Sequence, residues 1–180
     1  MQGVGKVDTG ILVLGATNTP WDLDPAIRRR FEKRVYIPLP DPRARFVMFK
    51  QNIGSTTNDL TDADLQMLAD ETEGFSGSDI SVLVRDALYE PVRIAQIATH
   101  FKKVKDPAGK EEFLWEPCSS GDRQAVEMSL YDIPTNQLKP LDTTVSHFEH
   151  SVQNTKPSVG QGDLARFEEW TKQFGQEGSG

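Results

Sequence analysis

The feature that most limits the fold is an apolar stripe that starts just after Ser76-Gly77-Ser78-Asp79. Ile80, Leu83, Val84, Ala87, Leu88, Val92, Ala95, Ala98 and Phe101 recur at a period near 3.6. That spacing puts them on one face of a long helix. Ser76 has Asp79 three positions on, the pattern of a helix start. Pro91 falls inside the stripe and is expected to kink or divide the helix, because it removes a hydrogen bond and crowds the preceding turn. Two further helices are expected upstream. One runs from Asp41 to about Ile53, with Phe46, Phe49 and Ile53 inward. The other follows the capping pattern Thr61-Asp62-Ala63-Asp64 and carries Leu65, Leu68 and Ala69.

The N-terminal part reads differently. Gly10-Ile11-Leu12-Val13-Leu14-Gly15 is apolar without alternation, which suits a strand buried on both faces. Ala16 to Pro20 break it with turn residues. Asp24-Pro25 opens a helical turn, with Asp as cap and Pro at the first helical position. Arg34 to Ile37 is a second strand candidate, ended by Pro38, Pro40 and Pro42. A lone pair of strands is marginal, so both are expected to belong to a larger sheet. Beyond Lys102 come a polar loop at 105–110 and two short strand candidates, Glu111 to Trp115 and Val126 to Tyr131. They read as a small β insertion. Helical patterning returns near Thr144 to Val152 and from about Asp163 to Phe174, closed by Gly175.

The bulk properties remove several classes. The 180 residues carry 37% hydrophobic residues and a net charge of −7, with mean hydropathy −0.50. No apolar run approaches the roughly 20 residues of a membrane span, and the N-terminus does not resemble a secretory signal. A single cysteine, Cys118, allows no intrachain disulfide and fits a reducing, cytoplasmic setting. An acidic chain without a basic stripe is a poor nucleic-acid binder. His147 and His150 share a helical spacing, but a solvated face is the simpler reading, and no metal site is expected. Trp21, Trp115 and Trp170 read as packing residues. The one basic cluster is Arg28, Arg29, Arg30, Lys33 and Arg34.

Gly15-Ala16-Thr17-Asn18, Pro20-Trp21, Leu23-Asp24 and Ala26 to Phe31 together resemble the second region of homology of AAA ATPases. Gly74 to Ile80 resembles the adenine-side turn of that family. Ala98 to Val104, Pro117-Cys118-Ser119, Gly121-Asp122, Glu127-Met128-Ser129 and Phe174 to Gly178 resemble the vacuolar protein sorting 4 subfamily of the meiotic clade. The resemblance covers nearly the whole chain. It implies an α/β plus helical fold: the C-terminal strands of a AAA+ αβα sheet, then a helical lid bundle with a small β-domain insertion and a C-terminal helix. The expected divisions are 1–53 for the end of the large ATPase subdomain, 54–104 for the lid, 105–141 for the β insertion, and 142–180 for the return helices.

The same resemblance assigns roles. Asn18 matches sensor 1, placed to orient water or touch the γ-phosphate at a strand's C-terminal end. Arg29 and Arg30 match paired arginine fingers, whose forked guanidinium groups stabilise charge on a phosphoryl group held by the neighbouring subunit. Arg28 is secondary. Gly77 and Ser78 are the expected adenine wall, where glycine lets backbone approach a ring. The family's ligands are ATP and Mg²⁺. Its partners are identical subunits in a hexameric ring, ESCRT-III subunits, and a Vta-type activating cofactor docked on the β domain, at the periphery of endosomal membranes. Gln124 and Val126 depart from the family's Gly-Ala-Ile near the docking strand.

The sequence contains no Gly-x-x-x-x-Gly-Lys-Ser/Thr phosphate loop and no apolar strand ending in Asp-Glu. The resemblance implies the activity of the parent, and the missing motifs that of the chain alone. The parent protein hydrolyses ATP, whereas this chain alone does not. The alternative is a catalytically inactive interaction module working through its β insertion and helical faces.

Overall fold

The computed structural model describes residues 12–175. They divide into two compact units, one of residues 12–38 and 159–175 and the other Leu39–Ser158. Ile11, the family-like segment 1–5 and the final 176–178 lie outside the described residues.

In the larger unit, three helices come first: α2 (Pro42–Ile53), α3 (Asp62–Glu71) and α4 (Gly77–Ile97). Each begins where a short oxygen-bearing side chain satisfies the free amides of the first turn. Asp41 caps α2, while Thr61–Asp64 and Ser76–Asp79 form reciprocal boxes. Helix α5 (Val145–Asn154) packs on both α3 and α4, and α2 packs on α3 and α4. The resulting core holds Phe49, Ile53, Leu65, Leu68, Phe75, Ile80, Leu83, Val84, Ala87 and Phe148. Most of the apolar positions read from the periodicity are buried, with Phe46, Leu88 and Ala98 partly so and Val92 exposed.

Two expectations for this unit are corrected. Of the two outcomes expected of Pro91, a kink or a division, division does not occur: α4 runs unbroken for 21 residues with Pro91 buried within it. Packing of the stripe on α2 and α5 outweighs the loss of one backbone hydrogen bond. The stripe's last member, Phe101, is not helical. Helix α4 stops at Ala98, and the chain turns into strand β1 (His100–Val104), where Phe101 is fully buried. A single residue at the end of the stripe satisfies helical and strand periods alike, so the period could not separate them.

Strand β1 lies between β2 (Leu114–Pro117) and β3 (Val126–Glu127), antiparallel to both. Pairing runs Phe101 to Pro117 and Val104 to Leu114 on one side, and His100 to Glu127 on the other. The expected strand 126–131 shrinks to two residues, because Leu130–Asp132 turns into a 3-10 helix. The loop before β2 is tied by buried Asp106, whose carboxylate accepts amides of Ala108, Lys110 and Glu111 at 2.7–2.9 Å.

The smaller unit contains α1 (Pro25–Arg30) and α6 (Gln161–Phe174). The segments 12–15 and 34–37, expected as strands, lie in no sheet among the described residues. Leu12, Leu14 and Ile37 are 88%, 89% and 85% exposed. A strand is stable only with a hydrogen-bonded neighbour, and none is present among the described residues.

Candidate functional site

Helix α1 is short and starts on Asp24, whose carboxylate accepts the amides of Ala26 and Ile27 at 2.7 and 3.4 Å. It ends in Arg28, Arg29 and Arg30, at the negative end of the helix dipole, where cations are favoured. Beyond it, the half-buried Arg34 folds back. Its guanidinium donates from Nε to the Phe31 carbonyl (3.1 Å), from one terminal nitrogen to the Arg28 carbonyl (3.1 Å), and from the other to the Phe174 carbonyl (2.6 Å). One planar fork thus serves the last carbonyl of α6 and a terminal carbonyl of α1. Lysine cannot reproduce that pattern.

Arg28 lies over the Phe174 ring at 4.2 Å, a cation–π contact. Arg29 is exposed and, among the described residues, bonds only through its Nε to the Pro25 carbonyl at 3.3 Å, with its fork facing solvent. Arg30 is likewise exposed. The basic cluster is therefore divided: Arg28 and Arg34 make their contacts inside the unit, whereas the fork of Arg29 faces solvent. Asn18 is exposed at the bend before Pro20, where Thr19 donates its amide to the Thr17 hydroxyl.

Helix α6 is held by aromatic contacts. Phe167 meets Trp21 at 5.0 Å and stacks on Tyr36 at 5.9 Å, while Arg166 covers Trp21 at 3.7 Å. Gly175 closes the helix with ordinary negative φ. It is needed there for space, since a Cβ would come within 2.6 Å of the Thr171 carbonyl.

Gly77 and Ser78 lie in the other unit, in the first turn of α4. Gly74, with φ of 81°, makes the preceding turn possible. Ser78 is exposed. A methyl group at Gly77 would meet Met48 at 3.7 Å, an ordinary contact, so nothing within the unit itself requires glycine there. Asp79 holds the turn from below, accepting the amide and hydroxyl of Ser76 at 2.8 Å and the amide of Ser158 at 3.3 Å. Burial alone would raise its carboxyl, but the hydrogen bonds from Ser76 and Ser158 outweigh that and hold it below the usual carboxylate range.

Among the described residues, no group of His, Cys, Asp and Glu could hold a metal ion, and no helix is long and apolar enough to cross a membrane.

Family models match in succession along the chain. Residues 1–39 match the ATPase family associated with various cellular activities, 62–104 the AAA+ lid domain, and 115–175 the Vps4 C terminal oligomerisation domain. Vacuolar protein sorting-associated protein 4B of Pongo abelii is 52% identical over 183 residues, 99% of this chain. The chain belongs to the Vps4 family of AAA ATPases. It spans 41% of the length of that relative. A crystal structure of Vps4 and Vta1 is similar at 41% identity and a TM-score of 0.54, covering 66% of this chain and 100% of that one. The FIGL-1 AAA domain is similar at 29% identity and a TM-score of 0.64, covering 92% of this chain and 44% of that one. Helices α3 and α4 lie in the stretch matching the AAA+ lid, and the insertion leads from it into the stretch matching the Vps4 C-terminal domain.

The sequence singled out Arg29 and Arg30 but gave Arg34 no role beyond membership of a basic cluster. Its contact with Phe174 joins positions 140 residues apart, and no local pattern carries that information.

Proposed function

We propose that this chain is the C-terminal part of an ATP-hydrolysing Vps4-type enzyme that disassembles ESCRT-III polymers at endosomal membranes. Its Arg29 and Arg30 are fingers for the nucleotide of a neighbouring subunit, Asn18 is sensor 1, and Gly77 with Ser78 forms the adenine wall. The divisions at 53, 104 and 141 are the corresponding subdomain limits. The observation that carries the residue assignment is the contrast between Arg29, whose fork faces solvent, and Arg28 and Arg34, which make their contacts within the unit. A finger must keep its fork free until a partner's phosphoryl oxygens arrive, and Arg29 does so on a turn fixed by Arg34. The activity itself is inferred from the relatives. ATP and Mg²⁺ depend on a phosphate loop and an acidic strand that these 180 residues do not contain, so the isolated chain is inactive. The assembly is a ring, and the β insertion docks a Vta1-like activator.

The test uses the full-length protein. Arg29→Ala should leave ATP binding intact and cut turnover by roughly 10³-fold. Mixing it with a variant lacking the phosphate-loop lysine should restore part of the activity, because some interfaces then hold one intact nucleotide site and one intact finger. Mixtures as inactive as either parent at every ratio would overturn action in trans.

A second reading, an interaction module without chemistry, draws on the insertion. Val126 is 44% exposed within the short strand β3 and Tyr131 95% exposed in the 3-10 turn that follows, exposed apolar groups suited to a partner. Binding of a Vta1-like activator to the isolated chain, with no ATP turnover by the full-length protein, would favour it.

A further inference from the structure

We propose that Arg34 is a positioning residue for the arginine fingers, and that it sets their turn by locking it to the last carbonyl of α6. This rests on the finger reading of Arg29 and Arg30. Helix α1 has only six residues, too few to hold its own geometry by backbone hydrogen bonds alone. Its start is fixed by Asp24. Its end is fixed by Arg34, which binds the Arg28 carbonyl within the helix and the Phe31 carbonyl just past it. The third bond, to the Phe174 carbonyl at 2.6 Å, is the shortest of the three and refers that turn to α6. The Arg28 guanidinium over the Phe174 ring adds a second link between the same two helix ends.

Arg29 and Arg30 sit between the two anchored points, so the direction of their side chains depends on the α6 terminus. A finger is effective only when its fork meets the equatorial oxygens of the phosphoryl group, and misplacement by about 1 Å costs on the order of a hundredfold in rate. Helix α6 therefore acts on chemistry at a distance, without touching nucleotide, by fixing where the finger turn ends.

The experiment measures steady-state ATP hydrolysis and ring assembly in full-length protein carrying Arg34→Ala, Arg34→Lys or Gly175→Ala, with Arg29→Ala as reference. The Gly175 variant leaves every arginine in place but forces the end of α6 to shift, because its Cβ would fall 2.6 Å from the Thr171 carbonyl. Arg34→Ala should lower kcat by about ten- to a hundredfold, with KM for ATP and ring size by light scattering unchanged. Arg34→Lys should fail to rescue, since one ammonium cannot serve three carbonyls in a plane. Gly175→Ala should lower kcat in the same direction. In mixtures with the phosphate-loop lysine variant, Arg34→Ala should behave as Arg29→Ala does, supplying good nucleotide sites and poor fingers.

Loss of ring assembly by Arg34→Ala, a parallel rise in KM, or full rescue by lysine would overturn the proposal. If Arg29→Ala complements in trans while Arg34→Ala has wild-type turnover, the positioning role fails and the finger assignment stands. If Arg29→Ala itself retains full turnover, the finger assignment fails first.

Discussion

The guanidinium of Arg34 and the carbonyl oxygen of Phe174 meet at 2.6 Å, although 140 residues separate them. The contact closes the C-terminus of α6 with a cation, where the helix leaves its final carbonyls unpaired and its dipole negative. It also means that residues 31–34 and 171–175 share one structural fate, which makes the consequences of disturbing either end measurable.

Phe167 makes the aromatic contacts that hold α6. Phe167→Ala removes its pairing with Trp21 and Tyr36. Such pairs contribute roughly 0.5–1.5 kcal/mol each beyond burial. The expected outcome is a red shift and altered intensity of Trp21 emission, with faster amide exchange across 161–174 and no change in exchange within 62–97. Uniform loss of protection in both segments would show that α6 is not held locally.

Arg45 is 4% exposed and satisfied by backbone alone. Its Nε donates to the Ala69 carbonyl at 2.7 Å and a terminal nitrogen to the Pro40 carbonyl at 2.8 Å. It ties the start of α2 to the end of α3. Arg45→Ala leaves both carbonyls without this donor and removes buried stem packing, so a loss of about 2–4 kcal/mol is expected in urea unfolding. Arg45→Lys should recover less than half, because a point charge cannot bridge both carbonyls.

Asp79 makes the lid unit sensitive to acid in a calculable direction. Its carboxyl is held below its ordinary value of 3.8. The folded state therefore binds that proton less readily than the unfolded chain. The associated stabilisation is present above pH 3.8 and is lost as pH falls through the lower folded value. Thermal unfolding between pH 6 and pH 2.5 should show a steeper decline for the wild type than for Asp79→Asn. At pH 6 the variant should be less stable by about 1–2 kcal/mol through the weakened cap. Parallel declines would remove Asp79 from the account.

The exposed apolar segments give the isolated chain a tendency to self-associate. Leu12, Leu14, Val35 and Ile37 are between 61% and 89% exposed, and unpaired apolar backbone of this kind invites pairing with another copy. Light scattering over a concentration series should show mass rising with concentration. Leu14→Lys with Ile37→Lys should suppress the rise while leaving the helical circular dichroism signal intact. A monomer at all concentrations in the unsubstituted chain would exclude association through 12–37.

What the sequence determined by itself is what short-range chemistry controls. Asp24, Asp41, Thr61 and Ser76 announce four helix starts, because a cap bonds amides two or three residues away. The 3.6 period chose the residues of the core, and the order of family-like motifs placed the chain among the Vps4 proteins. Tertiary structure decided the rest. Phe101 became a strand residue because β2 and β3 offered it partners on both sides. Pro91 remained inside α4 because burial of most of the stripe outweighed one missing bond. Segments 12–15 and 34–37 stayed out of any sheet among the described residues, since apolar character supplies the tendency to form a strand but not the neighbour that completes it. Arg34 was one cation in a cluster of five until Phe174 met it. A side chain's role is fixed by what reaches it in space, and for Arg34 that is a carbonyl from the far end of the chain.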